Sequence, residues 1–203
     1  MKQAAILLLL VVGVVSPVFA QGEMHWLNKP KAWSDTNGRV TLTAQTKTDF
    51  WRVTRYGYIT DNGHFYYQER EGDFIATVKV KGEYKDLYDQ AGLMIRIDDK
   101  NWIKTGIEFV NERQNISTVF TRNFSDWSVV PKTSNAEFVW FQLIRKADYV
   151  EIKYSTDGKN YETVREGYFP PKVKCGIGMM AAAPEGKGFQ ATFEEFRVEA
   201  YKE

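Results

Sequence analysis

Between Tyr88 and Val129 apolar and polar residues alternate, the period-two signature of strands buried on one face and wet on the other. The pattern predicts three successive antiparallel strands, about Gln90 to Ile97, Trp102 to Val110 and Ile116 to Arg122, joined by turn-rich links. In the first, Ala91, Leu93, Ile95 and Ile97 take one face, and Gln90, Gly92, Met94 and Arg96 the other. In the second, Ile103, Thr105, Ile107 and Phe109 oppose Trp102, Lys104, Gly106 and Glu108. The third is less regular, and Arg122 with Ser125, Asp126 and Trp127 ends it on polar and aromatic groups. One wall is therefore expected to carry Gln90, Arg96, Trp102, Lys104 and Glu108 side by side. Such a mixture of aromatic and hydrogen-bonding groups suits a sugar-sized polar ligand.

The rest of the chain punctuates the same way. Val40 to Thr46 alternates, and Asp61-Asn62-Gly63 reads as a hairpin turn between a short strand near Tyr56 to Thr60 and the run His64 to Glu69. Further strands are expected at Phe74 to Val80, Phe138 to Arg145, Tyr149 to Tyr154, Tyr161 to Glu166, Val173 to Ala183 and Phe189 to Ala200. No segment sustains helical periodicity with caps, and Val, Ile, Thr, Tyr, Phe and Trp are plentiful. About a dozen strands in one domain predict an all-β, jelly-roll-like sandwich of two antiparallel sheets.

The first residues follow a different pattern. Met1-Lys2-Gln3 is a short basic lead, Ala4 to Val15 is an apolar run of 12 residues, and Ser16-Pro17-Val18-Phe19-Ala20 supplies a break and a small residue. This is the form of a secretory signal peptide cut after Ala20, too short to span hydrocarbon, which needs about 20 residues. The expected product is one exported domain, residues 21–203, with no membrane attachment after cleavage. The chain holds 27 basic and 26 acidic residues, and losing Lys2 leaves 26 of each. That neutrality, with no basic run, argues against nucleic acid as a partner. Cys175 stands alone, so no internal disulfide is possible; in the apolar run VKCGIGMMAAA it reads as a buried thiol. His25 and His64 are too few for a histidine metal site. Asp98-Asp99-Lys100-Asn101 reads as a turn, short of the six to eight oxygens calcium prefers, so neither metal nor cofactor is expected. Asn115-Ile116-Ser117 and Asn123-Phe124-Ser125 match the glycosylation sequon.

The strings DQAGLM, NWIKTGIE, TR-x-x-SDWS and S-x-DG-x-x-Y, with TDFWRVTRYGYITDNGHFYYQEREGDF before them, resemble the concanavalin A-like "regulation of enolase" family. The similarity runs from Met24-His25-Trp26 to Phe196-Arg197-Val198; one departure is Tyr161, where relatives often carry Trp. The resemblance implies a lectin- or glucanase-type sandwich with a concave ligand face. It does not fix an activity, because that superfamily hosts lectins, hydrolases and regulatory proteins alike.

Glycoside cleavage needs two carboxyls flanking the bond. Glu108 and Glu112 are the candidates, about 13 Å apart along an extended strand. The related glucanases use an E-x-D-x-E or E-x-D-x-x-E strand, whereas here Glu108-Phe109-Val110-Asn111-Glu112 puts Val110 at the Asp position. Glu112 also falls where the hairpin is turning. Binding asks less: aromatic faces for C–H surfaces and planar polar groups for hydroxyls. Trp51, Tyr66, Trp102 and Trp127 are candidate platforms; Gln90, Arg96, Lys104, Glu108, Arg122 and Asp126 are candidate hydrogen-bonders, with His64 at the edge. Trp140, in FVWFQLI, reads as core. The expectation is a non-enzymatic saccharide binder. The alternatives are a glycan-cleaving or glycan-modifying enzyme using Glu108, and a protein-interaction domain using the same face.

Overall fold

Period-two patterning becomes a pair of stacked sheets in the computed structural model, which describes residues 22–134 and 136–202. The strands are β1 (His25–Leu27), β2 (Trp33–Thr36), β3 (Arg39–Gln45), β4 (Phe50–Arg52), β5 (Ile59–Asp61) and β6 (His64–Arg70). Next come β7 (Phe74–Gly82), β8 (Gln90–Arg96), β9 (Asn101–Val110), β10 (Arg113–Arg122) and β11 (Phe124–Pro131). The chain closes with β12 (Val139–Lys146), β13 (Tyr149–Ser155), β14 (Glu162–Tyr168), β15 (Cys175–Ala182) and β16 (Gly188–Ala200). The first sheet runs β1-β6-β15-β8-β9-β10-β11, the second β14-β13-β12-β7-β16-β3-β2, and all ladders are antiparallel. The all-β sandwich read from the sequence is the observed fold. The proposed signal peptide, residues 1–20, lies outside the described residues.

The main core lies between the sheets. Leu93, Ile95, Ile103, Ile107 and Ile177 of the first sheet meet Val78, Phe141, Leu143, Ile152 and Phe193 of the second, all essentially without exposure. The predicted faces of β8 and β9 hold: Ala91, Leu93, Ile95, Ile103 and Ile107 point inward, leaving Met94, Trp102, Lys104 and Glu108 on the outer side. That outer side is not bare. The small β4–β5 hairpin lies across it, and Phe50 and Trp51 pack with Phe65, Met94, Trp102, Val119 and Met180 into a second apolar cluster. Sheets need such a cover wherever large apolar groups face outward, because each buried Trp or Phe contributes several kcal/mol, on the order of 25 cal/mol per Å² removed from water.

Polar bonds pin the hairpin at both ends. Arg96 Nη1 and Nη2 donate to both carboxylate oxygens of Asp61 at 2.7 Å each, and Arg96 lies over the Phe50 ring. The Arg52 amide donates to Ser125 Oγ at 2.9 Å, and the Arg52 guanidinium pairs with Asp99 at 3.1 Å. Here the structure corrects the expected turn at Asp61-Asn62-Gly63, since β5 pairs with β4 and not with β6. The Asn62 and Gly63 amides instead donate to the Asp49 carbonyl, and Asn62 Oδ1 accepts the Asp49 amide. These bonds fold the segment back and free β6 to pair with β1 and β15.

Two smaller expectations also change. Trp140 lies on the second sheet's outer surface, half-buried, donating to Glu195 with Lys79 over its ring. Asn115 is buried and its amide nitrogen donates to the carbonyls of Val110 and Arg113, so the folded chain offers no glycan attachment there; Asn123 is exposed. The Asp98 carboxylate is taken up by the amides of Lys100 and Asn101, as an ordinary strand link requires. Cys175 is buried as expected, its thiol pushed up to about 11 by burial, with Arg145 Nη1 at 3.2 Å.

Candidate functional site

Beside the β4–β5 hairpin a hollow remains against the outer face of β8, β9 and β11. Its floor is Asp49, Gln90, Lys104 and Glu108, and its walls are Trp51, Tyr56, Tyr58, Tyr88 and Trp127. Five aromatic rings surround four polar side chains there.

The floor is a hydrogen-bonded set. Asp49 Oδ1 accepts the Phe50 amide at 2.7 Å, Lys104 Nζ at 3.1 Å and Gln90 Nε2 at 3.2 Å. Lys104 also donates to the Phe50 carbonyl at 2.7 Å, so the buried ammonium ties the strand to the hairpin. Glu108 Oε2 accepts Ser117 Oγ–H at 2.6 Å and the Trp127 indole N–H at 2.8 Å. Burial raises the Glu108 carboxyl above its ordinary value, and Lys104 with these two donors pulls the other way. A carboxyl whose charge desolvation disfavours, yet positioned by fixed donors, is a common feature of binding and catalytic sites.

The walls come from a tight turn. Residues 53–58 link β4 to β5, with the Val53 amide donating to the Tyr58 carbonyl at 2.7 Å and the Gly57 amide to the Val53 carbonyl at 2.6 Å. Val53 and Arg55 carry φ of 61° and 64°, the left-handed region that costs a β-branched residue about 1–2 kcal/mol. The turn stacks Tyr56 on Tyr58 with centroids 5.7 Å apart and holds Tyr56 edge-on to Trp51. Across the mouth the Tyr56 and Tyr88 hydroxyls meet at 3.2 Å, and Tyr88 stands edge-on to Trp127. That hydroxyl contact, with burial, lifts Tyr88 to about 12. Tyr56, Tyr58, Ile59 and Leu87 are all more than 40 % exposed, so the rim is an apolar patch open to solvent.

Of the candidate binding residues the hollow thus gathers Trp51, Gln90, Lys104, Glu108 and Trp127. The others lie elsewhere. Trp102 shares the face but is 1 % exposed, sealed under Phe50, with its indole N–H donating to the Asp99 carbonyl. Arg96 is consumed by Asp61. His64 and Tyr66 point to the opposite side of β6: His64 accepts the Gln45 amide at Nε2 and contacts the Asn28 carbonyl at Nδ1, while Tyr66 stacks on Trp26 at 4.6 Å. Arg122 lies over Tyr168 of the second sheet, and Asp126 sits opposite inward-facing Phe120 and is exposed. Glu112 is exposed in the β9–β10 turn with φ 59°, so it does not join Glu108 as a catalytic pair. Asp49, Tyr56, Tyr58 and Tyr88 complete the site without having been expected there.

The family model described as "Protein of unknown function (DUF1349)" matches residues 26–201. The chain belongs to this family. It is 42 % identical over 175 residues to "Regulation of enolase protein 1" of Saccharomyces cerevisiae, covering 86 % of this chain and 88 % of that one. A solved structure of a functionally unknown protein from Saccharomyces cerevisiae superposes with a TM-score of 0.86 at 41 % identity, over 89 % of this DUF1349 chain and 97 % of that one. Likeness in fold alone extends to the carbohydrate-binding module CBM66 from Bacillus subtilis, with TM-score 0.56 and 14 % identity over 86 % and 95 % of the two chains. It extends also to the GH43 protein BlXynB from Bacillus licheniformis, with TM-score 0.68 and 18 % identity, where the match spans 88 % of this chain and 37 % of that one.

Proposed function

We propose that this DUF1349 protein is an exported carbohydrate-binding domain that takes a saccharide at the hollow between the β4–β5 hairpin and β11. The observation that carries the reading is the ring of Trp51, Tyr56, Tyr58, Tyr88 and Trp127 around the Asp49, Gln90, Lys104 and Glu108 floor. Sugars present C–H faces that stack on aromatic rings and hydroxyls that bond to planar polar groups, and both kinds of surface converge here. The sandwich fold shared with a carbohydrate-binding module and with part of a glycosidase supports the same reading as analogy.

The test is a glycan-array screen of residues 21–203, repeated with Tyr58→Ala and Trp127→Phe, each checked for an unchanged unfolding midpoint. Saccharide binding that weakens in both variants, without released product, supports a binding domain. Turnover of a saccharide that disappears in Glu108→Gln would instead make Glu108 an acid catalyst, the enzyme alternative. No binding to any glycan would overturn the reading and favour a protein partner on the exposed rim.

A further inference from the structure

The floor of the hollow has fewer free donors than free acceptors. Its donors are largely spent: both Gln90 Nε2 protons go to Asp49 and the Tyr88 carbonyl, Trp127 Nε1 to Glu108 and Ser117, Trp51 Nε1 to the Thr54 carbonyl, and Ser117 to Glu108. Lys104 keeps one of its three protons after Asp49 and the Phe50 carbonyl; on the rim the Tyr56–Tyr88 hydroxyl pair keeps one and the Tyr58 hydroxyl its own. The acceptors are not spent. Asp49 Oδ2, Gln90 Oε1 and Glu108 Oε1 take no hydrogen bond from any described residue, and none is sealed in protein. Three oxygens, two of them carboxylate, therefore remain free on residues that line one cavity.

Size narrows the guest further. The cavity interior is about 30 Å³, room for about two water-sized groups at roughly 10–15 Å³ each. A pyranose ring does not enter it; a single protruding functional group does. Outside, the exposed faces of Tyr58 and Leu87 offer the ring a place to lie.

Resting on the saccharide-binding reading, we infer that the hollow takes the protonated primary amine of an amino sugar, held by Asp49, Gln90 and Glu108, while the sugar ring stacks on the tyrosine rim. An ammonium brings three donors to three free acceptors, and aromatic faces attract the cation as well. One Lys104 charge offsets one carboxylate, leaving the second for the ligand. Burial raises the Glu108 carboxyl, and an incoming cation is the close partner that favours its charged form. An N-acetylated amine loses the charge, exchanges donors for a carbonyl acceptor and is too large for the cavity.

The experiment is isothermal titration of residues 21–203 at neutral pH with a fully deacetylated glucosamine trimer, its fully N-acetylated counterpart, a neutral glucose trimer and a Nα-acetyl-lysine amide. The deacetylated trimer is expected to bind at least tenfold more tightly than either other saccharide and than the lysine amide. Glu108→Gln removes the tenfold preference, and Tyr58→Ala, at an exposed position that leaves folding intact, weakens the deacetylated trimer about fivefold, as loss of one ring contact predicts. Equal binding of the three saccharides overturns the amine assignment while the saccharide reading stands. Lysine amide binding as tightly as the amino sugar overturns the sugar frame. Silence of all three saccharides removes both.

Discussion

Trp102→Ala separates two accounts of the outer face. If Trp102 were an open platform, its loss would weaken ligand binding and leave stability almost untouched. In the structure it is 1 % exposed and wedged among Phe50, Met94 and Val119 beneath the β4–β5 hairpin. A buried Trp removes up to about 250 Å² from water, which at 25 cal/mol per Å² sets an upper bound of about 6 kcal/mol. The denatured chain already hides part of that area, and measured truncations of buried aromatics cost about 3–5 kcal/mol. Such a loss is a large share of the 5–15 kcal/mol that holds a typical domain, and at about 2–4 °C per kcal/mol it lowers Tm by roughly 6–20 °C. Urea unfolding followed by Trp fluorescence and circular dichroism gives the number. Hydrogen exchange locates it, because the amides of Phe50–Arg52 and Ile59–Asp61 should lose protection before those of β8 and β9. A variant within about 0.5 kcal/mol of wild type, the range of ordinary surface substitutions, would refute the buried-anchor account.

Glu108→Gln keeps the acceptor for Ser117 and Trp127 but cannot ionise. Because the folded carboxyl titrates above its unfolded value near 4.5, wild-type stability from this group is present at low pH and lost as pH rises; the variant should therefore gain on wild type as pH rises above about 4.5, read from urea midpoints. His64 titrates in the opposite sense: burial lowers it below 6.5, and protonation at Nε2 would end its acceptance of the Gln45 amide. Its stability is present above that value and lost as pH falls, so His64→Gln should flatten the acid side of the midpoint-against-pH curve below 6.5. Arg96→Met leaves Asp61 without its bidentate partner in a partly buried place and should cost about 1–3 kcal/mol, with exchange protection lost first at β5. An unchanged midpoint for that variant would mean the pair contributes no more than an exposed ion pair does.

What was legible in the sequence was local. Alternation told which residues of β8 and β9 face inward, since side-chain direction in a strand is set by parity alone. The same parity, carried further, sorts out several misplaced residues. With Ile116 and Phe120 inward, Arg122 must share their side, and adjacent residues Asp126 and Trp127 cannot both face the hollow. Likewise Phe65 in the outer cluster forces His64 and Tyr66 to the other side of β6. Parity does not say whether a face is covered. Trp102, Lys104 and Glu108 have the same direction, yet one is sealed under Phe50, one is tied to Asp49, and one lines an open hollow. The difference is made by a hairpin whose strands are three residues each, too short to show any period, arriving from about 50 positions away. Its placement depends on Arg96 meeting Asp61 and Ser125 meeting the Arg52 amide, pairings that only the assembled sheets bring within reach. Asp49 and Tyr58 belong to the same class: each acquires a role only once β4 has crossed β9. The one local trace was Tyr56-Gly57-Tyr58, two aromatics flanking a turn glycine whose φ of 74° suits no other residue well. Large apolar rings on a tight turn have no core to reach, so where a short hairpin carries them they mark either a cover for the sheet beneath or a surface for a ligand, and here Trp51 does the first and Tyr58 is placed for the second.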